Sequence, residues 1–405
     1  GTSATAANFT LTNPTNYRNT TFVVGTNNVT IDVNKKTLAW DGTTATWEIA
    51  GTQNDWNGGA NDNYFDGDDV VFDGTYVTAD QAITLGVNVE PSSVTVGGND
   101  WAYSITGTGG ILGSTKLVKN GTNTLTLGGA NNFTGGIALN AGRLEVATAA
   151  TQALGGTGSI KILADAQLDL NGVNLDVTRS YSLDIAGDGT DGSGAIRNDT
   201  AVINQNSRII NLVLSDDASV GAYGGTLPNG NRFDMALGGT ITGNGHTLTK
   251  LGDALIGLRG PATDISFDIN AGTLRAEDSD LAFGSTGVFV NGGATIDTWG
   301  NRALAVPVTF ADGARLTSSS GTANWNGVMT LEGAVNMGGD ANAIINQAFA
   351  ETGTGLFTKS GLGTLVLPVA NTFDRKLNVT GTGILRIAAD SSLGVAPSTP
   401  SADAI

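Results

Sequence analysis

The residues with chemical potential in this chain are mostly carboxylates that come in close pairs. Asp68/Asp69, Asp188/Asp191, Asp216/Asp217 and Asp278/Asp280 are the examples. Paired carboxylates cleave glycosidic bonds when they stand about 6.5–9.5 Å apart with room for a water. Here the pairs lie in expected turns, where a solvated acidic turn is the plainer reading. Lyases acting on uronates also need cations for the substrate carboxylates. Arg179, Arg197 and Arg208 are scattered, and no Lys/Arg cluster accompanies an acidic pair.

The segment Asp62-Asn-Tyr-Phe-Asp66-Gly-Asp68, followed by Asp73, has the flavour of a calcium loop. Asp62, Asp66, Asp68 and Asp73 are the candidate calcium ligands, and calcium is the one cofactor with any support. The helix-loop-helix form needs Asp or Asn at its third position and Glu at its twelfth. Tyr64 and Asp73 stand there instead, so an acidic turn before Val70–Phe72 is the alternative. His246 is the only histidine. It sits in Gly245-His246-Thr247, and one His without Cys makes no zinc site. Trp40, Trp47, Trp56, Trp101, Trp299 and Trp325 could form a sugar-stacking face, but the first three are better read as packing over an open end of the fold. The sequons at Asn8, Asn19 and Asn28 read as chance in an Asn/Thr-rich chain.

These residues must be positioned by an unusual composition. Gly makes up 59 of 405 residues, roughly twice the usual share. Charged residues are 14%, Lys+Arg 20 against Asp+Glu 37, for a net charge of −17. So acidic a chain without a basic stripe repels phosphate, which excludes nucleic acid as a partner. With Cys 0, disulfides and thiolate metal sites are excluded. No run of about 18 apolar residues could form a membrane helix, so no membrane insertion by this chain is expected. No charged-then-apolar leader precedes Gly1, so a signal peptide is expected to be absent or removed. Gly, Asn, Thr and branched aliphatics are the vocabulary of short strands and tight turns.

The same texture runs from about 70 to 395: three to six alternating residues, then Gly or Asn, then alternation again. Ala341–Ala350 is the one stretch that reads as a short helix. Three segments align. The first runs Leu117-Val-Lys119-Asn-Gly121 to Leu125-Thr-Leu127, then Asn131-Asn-Phe133, Gly142-Arg-Leu144-Glu-Val146 and Leu154-Gly155. The third runs Phe357-Thr-Lys359-Ser-Gly361 to Leu365-Val-Leu367, then Asn371-Thr-Phe373, Gly383-Ile-Leu385-Arg-Ile387 and Leu393-Gly394. The middle copy, Leu248-Thr-Lys250-Leu-Gly252 through Gly272-Thr-Leu274-Arg-Ala276 to Phe283-Gly284, departs at Asp264, where the aromatic belongs. Recurring short strands favour a β-solenoid over a sandwich.

This pattern resembles the autotransporter-associated β-strand repeat, and Trp40 to Phe72 resembles the Trp-rich segment ahead of such repeats. The resemblance implies an all-β, right-handed parallel β-helix, secreted or on the cell surface of a Gram-negative-type bacterium. It brings no catalytic residues. The expected organisation is an N-terminal β-rich cap or assembly segment over 1–69 and a β-helix over 70–395, with repeat segments near 110–158, 241–287 and 350–395. A Pro/Ser tail covers 396–405. The expected function is a non-catalytic structural rod of a surface fibre, coat or matrix, its partner being itself in a head-to-tail homopolymer. An adhesin-type passenger that binds extracellular glycans is the alternative, with a carbohydrate-active β-helix enzyme behind it.

Overall fold

The computed structural model describes residues 4–12, 14–18, 20–32, 34–51, 55–57, 62–199, 203–204, 209–224 and 232–395. It divides into two compact units, Gly1–Asp169 and Leu170–Ile405. Arg208, Asn19 and the 396–405 tail lie outside the described residues.

The first unit is built from two parallel ladders. One stacks 37–39, 69–72, 93–96, 116–119, 137–139 and 159–162. The other stacks 46–47, 81–85, 103–107, 124–127, 142–146 and 166–169. Within these ladders consecutive strands of the chain do not pair; each pairs with the strand one coil away. From 69–72 and 81–85 onward successive coils place residues about 20–24 apart in register, as Asn140 on Asn120 and Ser93 on Asp69 show. This is a parallel β-helix, as the repeats imply.

Alternation decides which side faces in. Val94/Val96, Leu117, Ile137/Leu139 and Ile160/Ile162 are buried in the first ladder. Leu125/Leu127 and Leu144/Val146 are buried in the second. Each such aliphatic contributes roughly 1.5–3 kcal/mol by burial, and stacking in register makes continuous aliphatic columns. An antiparallel hairpin, Thr21–Val24 with Val29–Asp32, stands outside the ladders.

The second unit repeats this plan of parallel ladders. One long ladder runs through 203–204, 232–235, 255–258, 273–276, 295–298, 314–318, 335–339, 357–359 and 377–379. A shorter one joins 302–304, 322–325, 342–345, 364–367 and 384–387. The expected helix at 341–350 is therefore a correction. Asn342–Ile345 is a strand with Ala343 and Ile345 buried. Its period of two fits the neighbouring coils, and register pairing on both sides outweighs the weak helical preference of so short a stretch.

Candidate functional site

The acidic residues of the calcium-like segment are each taken up by protein donors. Asp68 is almost fully buried and accepts from Arg18 Nη2 at 2.9 Å, from Arg18 Nε at 3.1 Å, and from the Lys36 and Phe65 amides at 2.8 and 2.9 Å. A cation at Asp68 would have to displace that guanidinium. Asp66 accepts from the Glu90 amide at 2.8 Å and the Tyr64 hydroxyl at 3.0 Å, and burial raises its pKa. Asp62 bonds to Lys36 and to Asn57, and the Lys36 bond lowers its pKa. Asp73 closes a turn on the Thr75 amide at 2.9 Å.

Trp40, Trp47 and Trp56 are at most 2% exposed. They pack edge to face, Trp40 on Trp56 at 5.1 Å and Trp47 on Tyr64 at 5.3 Å, with Phe72 against them. Such pairs favour this geometry through the ring quadrupole. These indoles fill the first coils of their unit and have no face for a sugar. Trp325 is buried as well, whereas Trp299 is 45% exposed.

The repeat residues turn out to be buried polar locks. Lys119, Lys250 and Lys359 occupy inward positions, in register between Val96 and Leu139, Val220 and Ile269, and Met337 and Val379. Each ammonium bends to the corner and donates to backbone carbonyls. Lys250 reaches Leu251 at 2.9 Å, Gly252 at 2.6 Å and Ala271, one coil on, at 2.9 Å. Lys119 reaches Gly121 and Ala141, and Lys359 reaches Ser360 and Gly361. Burial lowers the pKa of Lys119 to about 8 and of Lys250 to about 7; the carbonyls act the other way by holding the charged form. Gly142 and Gly383 lie where a Cβ would sit 2.4 Å from the Gly121 and Gly361 carbonyl oxygens, and 2.7 and 2.5 Å from Lys119 Nζ and Lys359 Nζ.

The second lock is an amide. Asn131 accepts from the Ile111 amide at 2.8 Å and donates to Gly128 and Ala153 carbonyls at 3.1 and 2.7 Å. Asn371 does the same with Phe349, Val369 and Ser392. One side chain thus ties three coils. Phe133 and Phe373 sit beside them, fully buried. Gly155 and Gly394 lie against the rings, where a Cβ would fall 2.8 Å from the nearest ring carbon. The sequence marked these positions as a motif, but their burial and bonding partners emerge only once the coils are stacked.

A different polar arrangement covers the outer face of the second unit's long ladder. Arg275, Asp297 and Thr317 are in register on adjacent coils. Asp297 Oδ2 accepts from Arg275 Nε at 2.5 Å and from Ser319 at 2.8 Å. Its Oδ1 accepts from Thr317 at 2.7 Å and Ser319 at 3.1 Å. The Arg275 guanidinium lies 5.4 Å from the centroid of Trp299, over its ring. Nearby, Arg259 pairs with Asp278 at 2.6 Å and Arg302 with Asp280 at 3.5 Å. The acidic pair Asp278/Asp280 is thereby split between two arginines at the rim.

His246 is not isolated. Its Nδ1 lies 3.6 Å from Asp217 Oδ1 and 3.8 Å from Asp216 Oδ1, at an exposed corner. Among the described residues this is the one trio of His and carboxylate ligand atoms within 4.8 Å of one another. Coils near it are long, 29 to 30 residues between bonded partners, so the neighbourhood could not be read from spacing. Asp188 and Asp191 are exposed, Asp191 bonding Ser193 and Arg197.

Residues 117–146 and 357–387 match the model of the passenger-associated-transport repeat. These are the first and third segments above, and the resemblance seen in the sequence holds there. The chain is also similar to an autotransporter adhesin, BmaC, of Brucella suis biovar 1 (strain 1330), at 31% identity over 217 residues. That match covers 53% of this chain and 5% of the adhesin. No solved structure matches.

Proposed function

We propose that this chain, which carries two passenger-associated-transport repeats, is a non-catalytic adhesive stretch of an autotransporter passenger, displayed outside a Gram-negative cell. The observation that carries the reading is the likeness to an autotransporter adhesin over a β-helix of stacked coils. The polar chemistry supports it. The buried lysines and asparagines are spent on backbone groups of neighbouring coils. Asp297, buried beside the exposed Trp299, already accepts four hydrogen bonds. A general base needs a free lone pair within reach of its substrate. The test is adherence: inert beads coated with the purified chain should attach to host-cell monolayers or extracellular matrix above the level of albumin-coated beads. Equal attachment sinks the reading.

A second reading is a self-assembling surface fibre. Among the described residues, strands Leu377–Val379 and Ile384–Ile387 pair on one side only, with Val379 and Ile384 exposed. Such edges invite further strands. A following coil of a longer polypeptide covers them equally well. Negative-stain microscopy over a range of concentrations decides, since concentration-dependent filaments require copy-to-copy pairing and isolated particles at every concentration reject it.

A further inference from the structure

We propose that the outer face of the ladder through 255–258, 273–276, 295–298 and 314–318 is a carbohydrate platform, with Trp299 stacking on the apolar face of a neutral pyranose. The proposal deepens the adhesin reading and rests on it for its biological setting, not for its chemistry.

The indole is held as a platform rather than scattered as a surface side chain. Asp297 and Trp299 are two residues apart and so project from the same face. Beneath the ring lies Arg275, 4% exposed and fixed by Asp297 and Ser319. The Trp299 amide donates to the Ala276 carbonyl at 2.8 Å, and its carbonyl accepts from Arg302 Nε at 3.2 Å. One ring face is turned to this guanidinium, and the residue is 45% exposed. An aromatic already locked in place loses little conformational entropy when a ligand stacks on it. The buried ion pair under it costs desolvation and is poor evidence of a stability role; positioning the ring accounts for it.

The rim selects the ligand. Arg259 with Asp278 and Arg302 with Asp280 present donors and acceptors at the rim, suited to vicinal hydroxyls. Across this face the five carboxylates of Asp234, Glu277, Asp278, Asp280 and Asp297 stand against the four guanidiniums of Arg259, Arg275, Arg302 and Arg315. The chain as a whole carries −17. Sialylated or uronate sugars are repelled by that balance, and neutral hexoses or N-acetylhexosamines are not.

The test is binding of the purified chain to immobilised neutral, sialylated and uronate glycans, comparing wild type with Trp299→Ala. The expected result is binding within the neutral set, at least tenfold weaker in the variant with an unchanged melting curve. Absence of neutral-glycan binding, preference for acidic glycans, or equal binding by the variant overturns the proposal. Should the variant melt early, oxidation of wild-type tryptophans with N-bromosuccinimide, read by peptide mass spectrometry, replaces it. A bound neutral glycan should shield Trp299, and unchanged oxidation overturns the platform. Bead adherence by a wild-type chain that binds no neutral glycan leaves the adhesin standing and the platform fallen. Glycan binding through Trp299 without bead adherence does the reverse.

Discussion

The first and third repeats carry both the lysine lock and the asparagine–phenylalanine lock, whereas the middle one keeps only Lys250. At the positions of Asn131 and Phe133 the middle copy has Ala262 and Asp264. The backbone explains why the amide can be lost there. Ala262–Thr263 is a short strand paired with Ile241–Thr242, so its peptide groups satisfy one another. Asn131 and Asn371 lie in stretches without strand, and their side chains supply the missing donors and acceptor. The aromatic is relocated rather than deleted. Ile265 fills the inside of the corner, and Phe283, one coil later, packs on Phe267 at 6.2 Å. The lysine lock and the amide lock are therefore separable devices: one ties a corner by charge and carbonyls, the other replaces strand pairing where the chain leaves the sheet.

The largest effect should come from the aromatic of a complete copy. Phe133→Ala empties a corner that Gly155 is shaped to receive, and large-to-small changes of this kind cost about 3–5 kcal/mol. Because coils touch only their neighbours, the loss should appear as faster amide exchange confined to peptides around residues 110–156. Uniform loosening of the first unit would break the picture of local locks.

Asn131→Ala comes next. It leaves the Ile111 amide and the Gly128 and Ala153 carbonyls without their buried partner, at about 1–3 kcal/mol. Its mirror, Ala262→Asn, should bring no gain, since the middle corner has no peptide group waiting. Denaturant melts of both variants sharpen the comparison, and a stabilising Ala262→Asn would overturn the strand-pairing explanation.

How much of this was legible beforehand follows the same division. Alternation, turn residues and the repeats favoured a β-solenoid, and the family resemblance implied its parallel β-helix form; all three copies were visible as Lys-x-Gly strings, and the first and third also as Asn-x-Phe. The inward direction of Lys119 was also implicit, because it shares parity with Leu117, yet a lysine in an aliphatic column runs against composition-based expectation. Asn131, Phe133 and Gly155 were visible as letters but not as a cluster, since the contacts join different coils. Trp40, Trp47 and Trp56 were correctly read as packing residues, while the platform under Trp299 depends on Arg275 and Asp297, which no motif connects. The coil lengthens from about 20–24 to 29–30 residues around Ser182–Thr247, so His246 could not be aligned with Asp216 and Asp217 by counting.

The lysine lock, common to all three copies, should show in the pH dependence of stability. Burial lowers the Lys250 pKa to about 7 in the folded chain, from an ordinary 10.5. Between those values the unfolded chain binds the extra proton, so stability rises with pH through the window. That contribution is complete above about 10.5 and lost as pH falls through about 7. The slope approaches 1.4 kcal/mol per pH unit for one group, reduced to the extent that the three carbonyls hold the charge. For Lys119 the window opens at about 8. Exchange of the peptides flanking residue 250, measured at several pH values and corrected for intrinsic rates, should show the trend, and Lys250→Met should flatten it. A slope that survives in that variant would place the titrating group elsewhere.

The smallest effect belongs to a lysine of the opposite kind. Lys35 lies at the surface and pairs with Asp69 at 2.9 Å, both side chains in contact with solvent. Burial pushes the Asp69 pKa up, but the Lys35 and Ser93 bonds outweigh it and leave the carboxyl below its ordinary value. A lowered carboxylate contributes stability that is present above the unfolded pKa, near 4, and is lost as pH falls through the folded one. The contribution is of an exposed pair, about 0.2–1 kcal/mol, and salt screens it. Lys35→Ala should therefore destabilise only slightly in low salt, show no difference near 1 M salt, and lose its effect in acid rather than in base. The two lysines thus respond to pH in separate windows, 35 below about 4 and 250 between about 7 and 10.5, because one holds a carboxylate in water and the other is stripped of water with only peptide carbonyls around it. Equal salt sensitivity of the two variants would mean that the interior lysines are solvated, and the lock would then have to be read as a surface contact.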